Sequence, residues 1–141
     1  YKGSAELLLE ISAGAGAVIG DRFEEVAAIM AASGAAGVCF DSAHAFASGY
    51  DMRTADAMAK TLKSIEQTIG RKSIRLIHAN DSKVGLGERK DRHDHIGAGK
   101  IGREGFMQLM KHFAVDFILE TEHDKVIEDI AVLKTIRKSV S

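Results

Sequence analysis

Four short apolar runs divide the chain: Ala5–Leu9, Gly37–Phe40, Ile74–Ile77 and Phe117–Leu119. Apart from Glu6 and Arg75 each is continuous rather than alternating, which is the pattern of a strand covered on both faces. Between and after them the apolar positions take helical spacing. In Phe23–Met30, residues Phe23, Val26, Ala27 and Met30 fall at i, i+3, i+4 and i+7. A second helix is predicted over Thr54–Ile69, with Thr54 as N-cap and Gly70 as the C-terminal stop. The third and fourth are predicted over Glu104–Met110 and Val126–Ile136. The last is expected to bury Ile127, Ile130, Leu133 and Lys134 on one face, with Asp124 as its cap.

Strands that alternate with helices in this way imply a parallel sheet. At roughly 35 residues, each βα unit is close to one-eighth of an average (β/α)8 TIM barrel, so four units make a half-barrel. A four-stranded flavodoxin-like sheet shares the same element order. There is no internal repeat beyond the unit, and no linker. The chain opens on Tyr1 in the run-up to a strand, as is expected of a piece of a longer polypeptide.

The residue that follows each run carries chemistry. Glu10, Asp41, His78 and Glu120 stand at the four strand ends, and the C-terminal ends of parallel strands are where barrel active sites are built. All four are ligands for a divalent cation. His44 lies one turn beyond Asp41, and Asp91 and His93 lie in the long segment after the third strand. Carboxylate and imidazole donors without thiolate suit zinc, manganese or iron(II). Paired cations of that kind hydrolyse phosphodiesters.

Composition narrows this only slightly. Of 141 residues, 45% are hydrophobic and 28% charged, within the ordinary range of globular domains. No apolar run reaches the ~20 residues that cross a bilayer, and no secretory signal is evident. The single cysteine, Cys39, excludes an intrachain disulfide and fits a reducing, cytoplasmic setting; it reads as a small buried hydrophobe within its strand. The net charge of −1 neither supports nor excludes a nucleic-acid partner, because bound cations reverse the local field. The stretch from Lys83 to Arg103 is locally basic, and Arg92 stands between two of the ligand positions, where it either reaches a DNA phosphate or makes an ordinary ion pair. Gly97-Ala98-Gly99-Lys100-Ile101-Gly102 fits G-x-G-x-x-G but follows a polar loop, so it reads as turn glycines before a helix. His95, His112 and His123 are expected to be solvated, and Tyr50 and Met52 to pack. Proline is absent, with no physical reason evident.

Two longer segments carry a resemblance. Gly37-Val38-Cys39-Phe40-Asp41-Ser42-Ala43-His44-Ala45-Phe46 resembles the endonuclease IV motif around its strand-six ligands. Ile77-His78-Ala79-Asn80-Asp81-Ser82-Lys83, continuing through Asp91-Arg92-His93-Asp94-His95-Ile96-Gly97 to Gly102, resembles that family's second signature. Leu8-Leu9-Glu10 and Ile118-Leu119-Glu120-Thr121 are similar to its two glutamate motifs, while Ile11 and Glu122-His123 depart from it. The resemblance implies a TIM barrel that binds up to three zinc ions and cuts DNA 5′ to an abasic site. It implies that Glu10 bridges the first two ions, and that Asp41, His78 and Glu120 complete the second. His44, Asp91 and His93 would bind the third. Glu10 and Glu120 are the expected catalytic carboxylates, and Arg92 the expected contact to substrate. The remaining ligands, two histidines, belong to an N-terminal half-barrel with no counterpart in this chain. The rival readings are a xylose-isomerase-like sugar isomerase or epimerase using one divalent metal, and a non-catalytic half-barrel that assembles with a partner half.

Overall fold

The computed structural model describes residues 3–140, so Tyr1 lies outside the described residues. Strands β1 (Leu8–Glu10), β2 (Gly37–Asp41), β3 (Ile74–His78) and β6 (Asp116–Ile118) form one parallel sheet in that order. The order follows the chain without reversal. A flavodoxin-like sheet doubles back at its first strand, so that architecture is excluded and the consecutive order of a barrel segment stands. The first strand begins three residues later and ends one later than the run that predicts it, and the last lies one residue earlier than its run.

The helices are α1 (Phe23–Ser33), α2 (Ser42–Ala47), α3 (Ala55–Gln67), α4 (Gly102–His112) and α5 (Val126–Val140). Alternation along the strands selects the face they cover. Val38, Phe40, Ile74 and Ile77 are fully or almost fully buried, against Phe23 and Val26 of α1, Met58 and Ile65 of α3, and Phe106 and Leu109 of α4. Phe40 anchors this layer, its ring stacked 6.3 Å from both Phe23 and Phe113. Met52 is fully buried, and the Tyr50 ring stacks on Phe23 at 3.9 Å while its hydroxyl oxygen accepts from the Phe23 N–H. That bond satisfies an orphan donor at the start of α1, where Arg22 provides no side-chain cap.

Thr54 caps α3 as predicted, its hydroxyl accepting from the Ala57 N–H. Gly70 takes positive φ and its N–H closes the helix end on the Ile65 carbonyl. The final helix is phased differently from the prediction. It buries Asp129, Leu133 and Ile136, while Ile127 is 78% exposed, and Asp124 turns its carboxylate to His95. The short α2 and a two-stranded ribbon, β4 (Asp81–Ser82) with β5 (His93–Asp94), are not foreshadowed by periodicity because both are too short to show one.

The other sheet face is not closed. Ile118 alternates with core-packed Phe117 and is 47% exposed. The outer edges of β1 and β6 carry no strand partner among the described residues. A groove of about 770 Å³ beside β6 and α5 is lined mainly by apolar side chains, among them Phe117, Leu119, Ile130 and Leu133.

Candidate metal centre

The donor side chains converge at the C-terminal ends of the sheet, each from a different strand or loop. Glu10, Asp41, His78 and Glu120 each bring one ligand atom to a common point, all within 4.8 Å of one another. His78 Nδ1 lies 2.9 Å from Glu10 Oε1 and 3.1 Å from Glu120 Oε2. Asp41, His44 and His93 converge in the same way at a second point, so Asp41 belongs to both. Asp91 Oδ1 stands 3.3 Å from Nε2 of both His44 and His93, and the two ring nitrogens are themselves 3.3 Å apart. All seven predicted ligands are therefore brought together.

Local structure explains the aim of each. Asp41 ends β2 and caps α2, its Oδ1 accepting from the His44 N–H at 2.7 Å. The cap fixes where the first turn of α2 begins, and His44, three residues on, is carried to the same side. His44 Nδ1 sits 2.9 Å from the Ile11 carbonyl. A carbonyl only accepts, so the ring proton lies on Nδ1 and the Nε2 lone pair faces the cluster. The bond uses backbone, so the apolar Ile11 side chain, fully buried, is compatible with it. Burial alone would lower the His44 imidazole, but the carboxylates of Asp41, Asp91 and Glu10 and the Ile11 carbonyl carry it above its ordinary value. Burial pushes the Asp41 carboxyl up. Carboxylates and imidazoles crowded in this way fit divalent cations, which would offset the repulsion between the anionic donors.

Sequence reasoning gave no role to three supporting residues, although Asn80 and Asp81 stand within the second signature. Asn80, fully buried, donates from Nδ2 to Asp41 Oδ2 at 2.7 Å and to Glu120 Oε2 at 3.2 Å, and accepts the Glu120 N–H on Oδ1. It therefore sets the distance between two donor carboxylates. Asp81, also fully buried, accepts from the N–H groups of Ser82, Gly97, Ile101 and Gly102. The glycine-rich stretch thus wraps one of the chain's own carboxylates; a Cβ on Gly99 would lie 2.5 Å from Asp81 Oδ1. Arg89 adopts φ of 55°, donates to the Gly14 carbonyl and pairs with buried Asp21 at 2.8 Å, pinning the loop that carries Asp91.

Other expectations need correction. His95 is not solvated: its Nδ1 meets Asp129 Oδ2 at 2.8 Å and its Nε2 meets Asp124 at 3.2 Å. His112 is half-buried, and only His123 is exposed as expected. Cys39 is 4% exposed, yet its Sγ lies within 4.8 Å of donor atoms of Glu10 and His78. Burial pushes the thiol up to about 12, so it is a neutral neighbour of the cluster at physiological pH. Arg92 is exposed and folds back on the Asp91 carbonyl at 2.6 Å.

Residues 4–138 match the family described as xylose isomerase-like TIM barrel. A probable endonuclease 4 of Methanosphaerula palustris is 40% identical over 138 residues, covering 94% of this chain and 48% of that protein. An apurinic-apyrimidinic endonuclease of Caenorhabditis elegans is also 40% identical, with 35% of its length covered. The crystal structure of endonuclease IV from Thermus thermophilus superposes with a TM-score of 0.77 at 36% identity, over 94% of this chain and 48% of that one. The chain spans about half the length of the endonuclease 4 relatives it matches.

Proposed function

The chain belongs to the xylose isomerase-like TIM barrel family, and from that premise we propose that it is the C-terminal half of a zinc-dependent endonuclease cutting DNA 5′ to abasic sites. The observation that carries the reading is the second convergence point. The set Glu10, Asp41, His78 and Glu120 alone would serve a one-metal sugar isomerase, but His44, Asp91 and His93 meeting beside it favour a multi-cation phosphodiesterase. The relatives named as endonuclease 4 and apurinic-apyrimidinic endonuclease support the same substrate.

Both ligand sets are supplied by this chain, and the donors fit zinc, with manganese an alternative. Cations held there would acidify an attacking water, neutralise the phosphate and steady the departing 3′ oxygen. Glu10 and Glu120 flank His78 with exposed carboxylates, so they face both the cluster and an incoming phosphodiester. Asn80, bonded to both, holds Asp41 and Glu120 at fixed spacing. Arg92, exposed on the rim and bonded only locally to the Asp91 carbonyl, would exchange that bond for a DNA phosphate. An N-terminal half-barrel, from the same longer chain or a second copy, covers the open sheet face, and the lone free thiol fits a cytoplasmic setting.

The test is a barrel completed with an N-terminal half. It is expected to bind more than one tight zinc per barrel and to cleave abasic-site duplex DNA. One divalent ion together with aldose isomerisation would overturn the reading in favour of the isomerase.

A further inference from the structure

The segment that carries His93 and the segment that carries Glu120 meet on one side chain that belongs to neither. Asp129 projects from α5 and is 2% exposed. Its Oδ1 accepts from the Ile96 N–H at 2.8 Å. Its Oδ2 accepts from the Thr121 hydroxyl at 2.7 Å and lies 2.8 Å from His95 Nδ1. Thr121 immediately follows Glu120, and His95 and Ile96 lie two and three residues after His93. The far side of the His95 ring is held by Asp124. A carboxylate with three donors from two chain segments is a junction, and a buried carboxylate of this kind resists displacement because losing one partner leaves charge unsatisfied.

We propose that Asp129 is a positioning residue that couples the two cation points, locking the His93 segment to the Glu120 segment so that both ligand sets keep their spacing. Thr121 adjoins a donor of the first point only and His95 a near neighbour of the second only, so each partner of Asp129 steadies one point while Asp129 steadies both. The inference rests on the metal-centre reading above but not on the identity of the substrate.

The experiment measures zinc affinity, by competition with a chromophoric chelator and without DNA, in the completed barrel. Each variant is placed in two backgrounds: His44→Ala leaves the Glu10, Asp41, His78 and Glu120 point, and Glu120→Gln leaves the His44, Asp91 and His93 point. Asp129→Ala is expected to weaken both points, on the order of 10- to 100-fold each, the usual effect of removing a partner that orients ligands. Thr121→Val should weaken only the first point, and His95→Phe only the second. Wild-type affinity at both points in Asp129→Ala would overturn the proposal. So would equal losses at both points from Thr121→Val and His95→Phe, which is the signature of general loosening. If Asp129→Ala does not fold, the two one-sided variants still decide. A barrel with this affinity pattern that leaves abasic DNA uncut sinks the nuclease reading and keeps the coupling; a wild-type barrel with a single cation sinks both.

Discussion

A buried thiol beside a cluster of metal-type donors is a sensitive reporter of burial. With its pKa pushed up to about 12, Cys39 should resist iodoacetamide at pH 8 in the folded protein and react fully after denaturation. Fast labelling of the native protein would contradict the burial described. In the completed barrel, Glu120→Gln should leave the fold intact and abolish abasic-DNA cleavage, because it withdraws a charged donor; normal cleavage would show the assignment to be wrong. His112 offers the contrast: half-buried and clear of both convergence points, it should be close to neutral in stability and cleavage when changed to Ala. The four strand-end donors were legible in the sequence because a switch from apolar run to Asp, Glu or His marks a strand end without knowledge of tertiary contacts, whereas His44, Asp91 and His93 stood out as candidates in the loops. Asn80, Asp81 and Asp129 were not. Their partners lie as far as 40 residues away in the chain, and an Asp inside a charged helix reads like any solvated residue.

At the level of elements, caps and turns make separable contributions. Thr54→Ala removes the hydroxyl that caps α3 and should cost about 1 kcal/mol, read as a lower urea midpoint with unchanged slope. Gly99→Ala drives a Cβ against Asp81 Oδ1 and the Ser82 carbonyl, so the loop must shift. Its expected result is loss of the cation at the His44, Asp91 and His93 point with helix content unchanged by circular dichroism. Strands β2 and β3 followed from short apolar runs, and helices α1 and α3 from helical spacing. Helix α5 was phased wrongly because hydrophobicity favours Ile127 and Ile130 as its inner face, whereas the junction at Asp129 draws a charged residue inward instead.

For the whole molecule, the consecutive parallel order β1-β2-β3-β6 and the open inner face make this chain half of a closed architecture. The strand edges that lack a partner among the described residues, and exposed Ile118, are association surfaces. In analytical ultracentrifugation the isolated chain should therefore dimerise or aggregate; a monodisperse, cooperatively unfolding 15.2 kDa species would contradict the half-barrel argument. The same sheet has a further consequence, because its four strand-end donors each come from a separate βα unit. Side chains alternate along a strand, so a slip of one residue in any pairing turns that donor toward the helices. The pocket then loses a tooth, and a cation would no longer be held there. Retention of metal is thus a running inspection of assembly: a half-barrel seated one notch out of line would be recognisable by what it fails to hold, before any substrate arrives.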